Sequence, residues 1–199
     1  MKRRMMIMLI ASVFLLLSGC RVEMATELPE RKPKPSGIRI EMTGTVLLEE
    51  RQVVVEGQTD LPEDAILFAG LKEYGDYESY PRILNWQAEE GEEYVTESTG
   101  KVGKNGTFQI TVDRVDPEKR YKLEVLFNPA IQPSKVQEVF GIWGENIAPT
   151  IGMTDFEYNE NILTGFIKIA PIMNITDNGG LDSKWNLTNI FGEKSRPIQ

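Results

Sequence analysis

Carboxylates are the one abundant group capable of acid–base chemistry in this chain of 199 residues, which has no histidine and one cysteine. Glu89, Glu90, Glu92 and Glu93 cluster around Gly91, and Glu49-Glu50 precedes Arg51. A glycoside hydrolase needs two carboxyl groups held about 5–10 Å apart across a sugar-binding cleft. Adjacent glutamates on a strand point to opposite faces, and the 89–93 run has the composition of a loop. A solvated acidic loop is the simpler reading, with Glu92 and Glu93 the candidates if a glycan hydrolase is entertained. Calcium wants several oxygen ligands. Neither that run nor Asp177-Asn178-Gly179-Gly180-Leu181-Asp182 has the alternating pattern of a calcium loop. The missing histidine removes Ser-His-Asp and Cys-His nucleophiles and the commonest metal ligand. The single cysteine removes an internal disulfide, a CxxC pair and a Cys-rich zinc site. Gly100, Gly103 and Gly106 lack the strand-to-helix context of a phosphate loop. The expectation is no catalytic residue, no metal and no cofactor.

Aromatic side chains offer a different chemistry. Tyr74, Tyr77 and Tyr80, with Trp86 close behind, interleave with Gly75, Asp76, Glu78, Ser79 and Pro81. Exposed aromatics among small polar residues give large contact area at low entropy cost, which suits a glycan or protein contact. The same side chains could instead close the open end of a core. Their period-3 spacing does not match the two faces of a strand, so at least one tyrosine belongs to a loop. These four residues are the candidate binding surface. Trp143, in Gly141-Ile142-Trp143-Gly144, reads as a cap on the core. With 22 basic and 30 acidic side chains the formal charge is −8, which argues against a nucleic-acid partner.

The elements that would position these residues are mostly strands. Val53, Val54 and Val55 form a β-branched run that Gly57 should end, and Leu61-Pro62-Glu63-Asp64 reads as a turn before the apolar run Ala65 to Leu71. Phe108, Ile110 and Val112 alternate with polar residues, as do Tyr121, Leu123, Val125 and Phe127, interrupted only by Leu126. Period 2 at both places argues strands with one buried face. Asn105-Gly106 suits a type I′ hairpin between two of them. Pro133 to Phe140 reads as a two-turn helix with Val136, Val139 and Phe140 on one face and Gly141 as a left-handed stop. Ile162 to Ile169 supplies a further strand, paired with 151–158. Short strands at this spacing, without a long 3.6-period segment, indicate a mainly β chain built as an Ig-like β-sandwich. The sandwich is expected over 44–145, extra strands or an appendage over 146–173, and a polar, loosely docked tail over 174–199.

The N-terminus is an address. Lys2, Arg3 and Arg4 precede Met5 to Leu17, thirteen residues that are apolar except for Ser12. As a helix that run is about 20 Å long, short of the roughly 30 Å hydrocarbon core, and its length is that of a signal-peptide core. It ends in Leu17-Ser18-Gly19-Cys20. The segment resembles the signal of bacterial lipoproteins, matching the lipobox at each position. An ordinary secretory signal or a short anchor helix is the alternative, but the only cysteine falls at the one place the lipobox requires. The resemblance implies cleavage between Gly19 and Cys20, a diacylglyceryl group on the Cys20 sulfur, and a protein held by fatty acyl chains at the extracytoplasmic face of a bacterial cell membrane. The run from Val53 to Leu67, V-V-V-E-G-Q-T-D-L-P-E-D-A-I-L, also resembles a strand-and-turn feature of Gram-positive surface lipoproteins of unknown function. That likeness continues through Phe127-Asn128-Pro129, Gln132-Pro133 and Gly141 to Gly144, and its motifs carry no activity.

Removing residues 1–19, which hold three of the basic residues and no acid, leaves 180 residues with a net charge of −11. Such a body is repelled by an anionic membrane within about a Debye length, near 8 Å. Pro29, Pro33 and Pro35 among charged residues mark 21–37 as a semi-extended linker, within a lipidated-cysteine and linker region of 20–43. The expected function is a lipid-anchored binding or interaction module without catalysis, facing a protein or cell-wall polymer. The alternatives are a carboxylate-dependent cell-wall glycan hydrolase and a small-ligand or calcium-binding accessory lipoprotein.

Overall fold

The computed structural model describes residues 37–85 and 87–189. Among the described residues nine strands alternate with short connections: β1 (Met42–Leu48), β2 (Gln52–Thr59), β3 (Ile66–Glu73), β4 (Thr96–Lys101), β5 (Thr107–Asp113), β6 (Tyr121–Phe127), β7 (Met153–Tyr158), β8 (Asn161–Ile172) and β9 (Lys184–Asn186). Among these residues two short α-helices, α1 (Tyr80–Leu84) and α2 (Ser134–Phe140), lie between strands. The chain is mainly β and makes a sandwich of a four-stranded sheet, ordered β5-β2-β1-β9, and a five-stranded sheet, ordered β4-β3-β6-β8-β7. Every strand pair is antiparallel.

Alternation places the core. β5 buries Phe108, Ile110 and Val112 and exposes the residues between them. β6 buries Tyr121, Leu123, Val125 and Phe127 on the same inner layer. Val46, Leu48, Val53 and Val55 supply the facing sheet, and the Phe127 ring meets that of Phe140 edge-on at 5.0 Å. Each such side chain contributes about 1.5–3 kcal/mol by leaving water.

Several local expectations are corrected. β2 does not stop at Gly57 but runs on to Thr59. The glycine makes room inside the strand, because an added Cβ would stand 2.4 Å from the Phe108 ring. Asn105-Gly106 does not close a type I′ hairpin: β4 and β5 belong to different sheets, and of this pair only Gly106, at φ 75°, is left-handed. The type I′ signature falls instead at Asn159-Glu160, with φ of 49° and 63°, joining β7 to β8. Gly141 has positive φ (82°) but ψ of 154°, so it ends α2 in an extended rather than left-handed helical geometry. α2 buries Val136 and Phe140 and leaves Val139 exposed.

The domain boundaries move outward. Ile40 and Met42, placed by sequence in the linker region, are core residues, and Ile38 bridges Ile147 in parallel. Residues 146–173 are no appendage, since β8 lies between β6 and β7 within the five-stranded sheet. The polar tail also contributes: β9 pairs with β1, and Trp185 packs on the core.

Candidate functional site

Between β3 and β4, residues 74–85 and 87–95 fold back over the outer face of the five-stranded sheet. Gly91 N–H donates to the Glu73 carbonyl (2.7 Å), and Tyr74 bridges Glu90. On β6, Lys122 and Glu124 alternate with the core residues Leu123 and Val125, so they point to this outer face. Lys122 pairs with Glu124 at 2.7 Å and also with Glu90 from the covering segment. Tyr94 lays its ring against Gly70 and Phe68, centroids 4.9 Å apart for the two rings, and its hydroxyl donates to Glu124. Gly70 admits that ring because an added Cβ would stand 2.4 Å from it.

One further carboxylate holds the tip. Glu78 is buried; it accepts the Glu89 backbone N–H at 2.6 Å and the Arg82 Nε at 2.7 Å. The backbone bond, with the Arg82 bond next, holds its carboxyl below the usual range. For Glu124, burial pushes upward, but the Lys122 charge and hydrogen bond and the Tyr94 hydroxyl more than offset it, and the net direction is down. Tyr74 lies beneath the segment, 4% exposed, with a buried hydroxyl that has no hydrogen-bond partner among the described residues. Burial, reinforced by the charges of Glu90, Glu124 and Glu78, holds its phenol well above the usual range.

The candidate aromatics therefore separate. Tyr74 is core, a correction to its place in the binding surface, because its strand-end position turns it under the covering segment. Tyr77 is 73% exposed and donates to Glu89. Tyr80, at the start of α1, is 36% exposed. Trp86 lies outside the described residues, as do Gly19 and Cys20. Glu92 and Glu93 are exposed on the loop. Surface depressions at Gly57 with Phe108 and at Arg51 with Arg114 are lined by none of the tyrosines. Among the described residues no cluster of three acidic or cysteine side chains is placed to hold a metal, and no helix is long and apolar enough to cross a membrane. Sequence reasoning passed over Glu78, Tyr94, Lys122 and Glu124. Lys122 and Glu124, two apart on a strand, were legible as one face, but what covers that face comes from thirty residues away.

The separation gives each of the two tyrosines its own expectation. Tyr77→Ala is expected to leave the unfolding free energy within about 0.5 kcal/mol, as for other surface changes. Tyr74→Phe removes an unpartnered buried hydroxyl and is expected to be neutral or to stabilise by about 1 kcal/mol. Thermal denaturation of both variants checks this; a large loss in either contradicts the placement. No protein-family model, curated protein or solved structure matches the chain.

Proposed function

We propose that this protein is a lipid-anchored extracytoplasmic module that binds a protein or a cell-wall polymer and performs no catalysis. The anchor is the acylated Cys20 of the Leu17-Ser18-Gly19-Cys20 lipobox, and the linker after it lets the acidic sandwich stand off the membrane. The observation that carries the binding role is Tyr77, an exposed aromatic on a segment held rigid by Glu78, Glu89 and Lys122. A pre-ordered aromatic presents large contact area without the entropy cost of immobilising a loose loop. The carboxylates of the same segment are engaged in holding it, Glu78 with Arg82 and Glu90 with Lys122, which favours a supporting role over acid–base work.

In-cell photo-crosslinking tests this reading. A photoreactive phenylalanine analogue in place of Tyr77 is expected to capture a stoichiometric protein or wall-polymer partner. Capture of nothing above background, or glycan cleavage by the purified protein, would overturn it.

A further inference from the structure

The five-stranded sheet ends at β4 on one side and β7 on the other. β4 closes against β5 of the facing sheet, where an added Cβ on Gly100 would stand 2.7 Å from the Gln109 carbonyl oxygen. In the four-stranded sheet, β9 is three residues long, and the chain just beyond it crosses to β8 through the Ile169–Thr188 bridge. β7 is different. It is six residues long, and among the described residues it pairs with β8 alone.

The hairpin geometry fixes which groups face outward. With the two-residue turn Asn159-Glu160, Tyr158 and Asn161 form the closing pair and exchange both backbone bonds. Phe156 and Thr154 follow in phase. Asp155 and Glu157 then turn their own N–H and C=O groups away from β8. The side chains along this edge carry one sign: from Thr150 to Ile167 the chain has Asp155, Glu157 and Glu160 and no lysine or arginine. Apolar surface flanks the acids, with Ile151 75% exposed and Met153 and Tyr158 also exposed.

An open edge is a template for another strand. A second copy is a poor occupant, because antiparallel pairing about Phe156 would set Asp155 opposite Glu157 of the other copy. Like charges directly opposed destabilise a strand pair. We propose that β7 is a docking edge for an extended basic polypeptide segment, in which Lys or Arg alternates with apolar residues and pairs as a sixth strand. Its basic side chains would face Asp155 and Glu157 on one face, and its apolar ones would lie beside Phe156 and Tyr158 on the other. This names a partner chemistry for the interaction module and rests on that reading, though not on the lipid anchor.

The test uses the purified full chain in detergent and a blocked peptide, Lys-Val-Lys-Ile-Lys-Val, followed by fluorescence anisotropy and hydrogen–deuterium exchange. Saturable binding with slowed exchange at the Asp155 and Glu157 amides is expected. The Asp155→Lys, Glu157→Lys double variant, altered only at exposed positions, should melt like the parent. It should bind the peptide about tenfold more weakly or worse, and gain affinity for Glu-Val-Glu-Ile-Glu-Val. Unchanged affinity in that variant, protection confined to other strands, or no binding overturns the proposal. So does a dimer broken by Glu157→Pro, which removes an outward-facing N–H and leaves the bonds to β8 in place, because that would assign the edge to a second copy. If Tyr77 crosslinks a partner while β7 gains no protection from the peptide, the interaction reading stands and this proposal falls.

Discussion

Arg114→Met is expected to lower the unfolding free energy by about 3 kcal/mol, because it orphans buried carbonyls whose loss of a partner costs about 1–3 kcal/mol each. Arg114 directly follows β5 and is 2% exposed. Its Nη1 donates to the carbonyls of Glu49 (3.1 Å) and Gly180 (2.9 Å), and its Nη2 to those of Pro117 (3.2 Å) and Met173. One guanidinium thereby ties the β1–β2 turn, the β5–β6 loop, the end of β8 and the segment leading to β9. Burial lowers its pKa from the ordinary arginine value, yet arginine stays charged in proteins. Methionine fills much of the volume but offers no donor. For a domain of this size the loss corresponds to roughly 6–12 °C in melting temperature. Arg114→Lys keeps the charge without the planar fork, so it should recover part of the loss. A melting temperature for Arg114→Met within a degree of the parent would contradict the hub.

Lys122→Met is expected to cost about 3 kcal/mol at neutral pH, since removing one partner of a buried ion pair leaves an uncompensated charge. Its side chain is 12% exposed and that of Glu124 only 9%. The pH dependence gives a sharper signature. In the parent, Glu124, Glu78 and Asp177 all titrate below their ordinary values when folded. Their contribution is present above the unfolded carboxylate range, near pH 4, and is lost as pH falls through the depressed folded values. Without Lys122, burial dominates at Glu124 and its folded pKa rises. The variant should then regain stability on acidification from neutral pH, where the parent gains none. Denaturant unfolding at pH 7, 5.5 and 4 reads this directly. Parallel pH profiles for the two chains would contradict the role given to Lys122.

How much was legible follows from which interactions are local. The inward faces of β5 and, but for Leu126, β6 are written in alternation, and the sandwich follows from them. Gly57 misled because a glycine in a valine run looks like a terminator, whereas here it yields space to the Phe108 ring from a strand fifty residues away. Asn159-Glu160 lacks the glycine that marks most type I′ turns, and asparagine's tolerance of positive φ is a weaker signal. In the candidate site, the period-3 tyrosines implied that at least one of them belongs to a loop, and Tyr77 lies in the turn between β3 and α1. Arg114 and Glu124 were opaque for a different reason. A lone arginine after an aspartate, or a glutamate in an alternating strand, gains its meaning only when distant carbonyls or a covering loop arrive.

The anchor is the part of the account most cleanly separable from the fold. Cells producing the parent chain and Cys20→Ala, fractionated side by side, decide it. The parent should sediment with membranes and carry acyl chains on Cys20, while Cys20→Ala should be released into the soluble extracytoplasmic fraction with its sandwich intact. Membrane retention of Cys20→Ala at the parent level would contradict lipid anchoring.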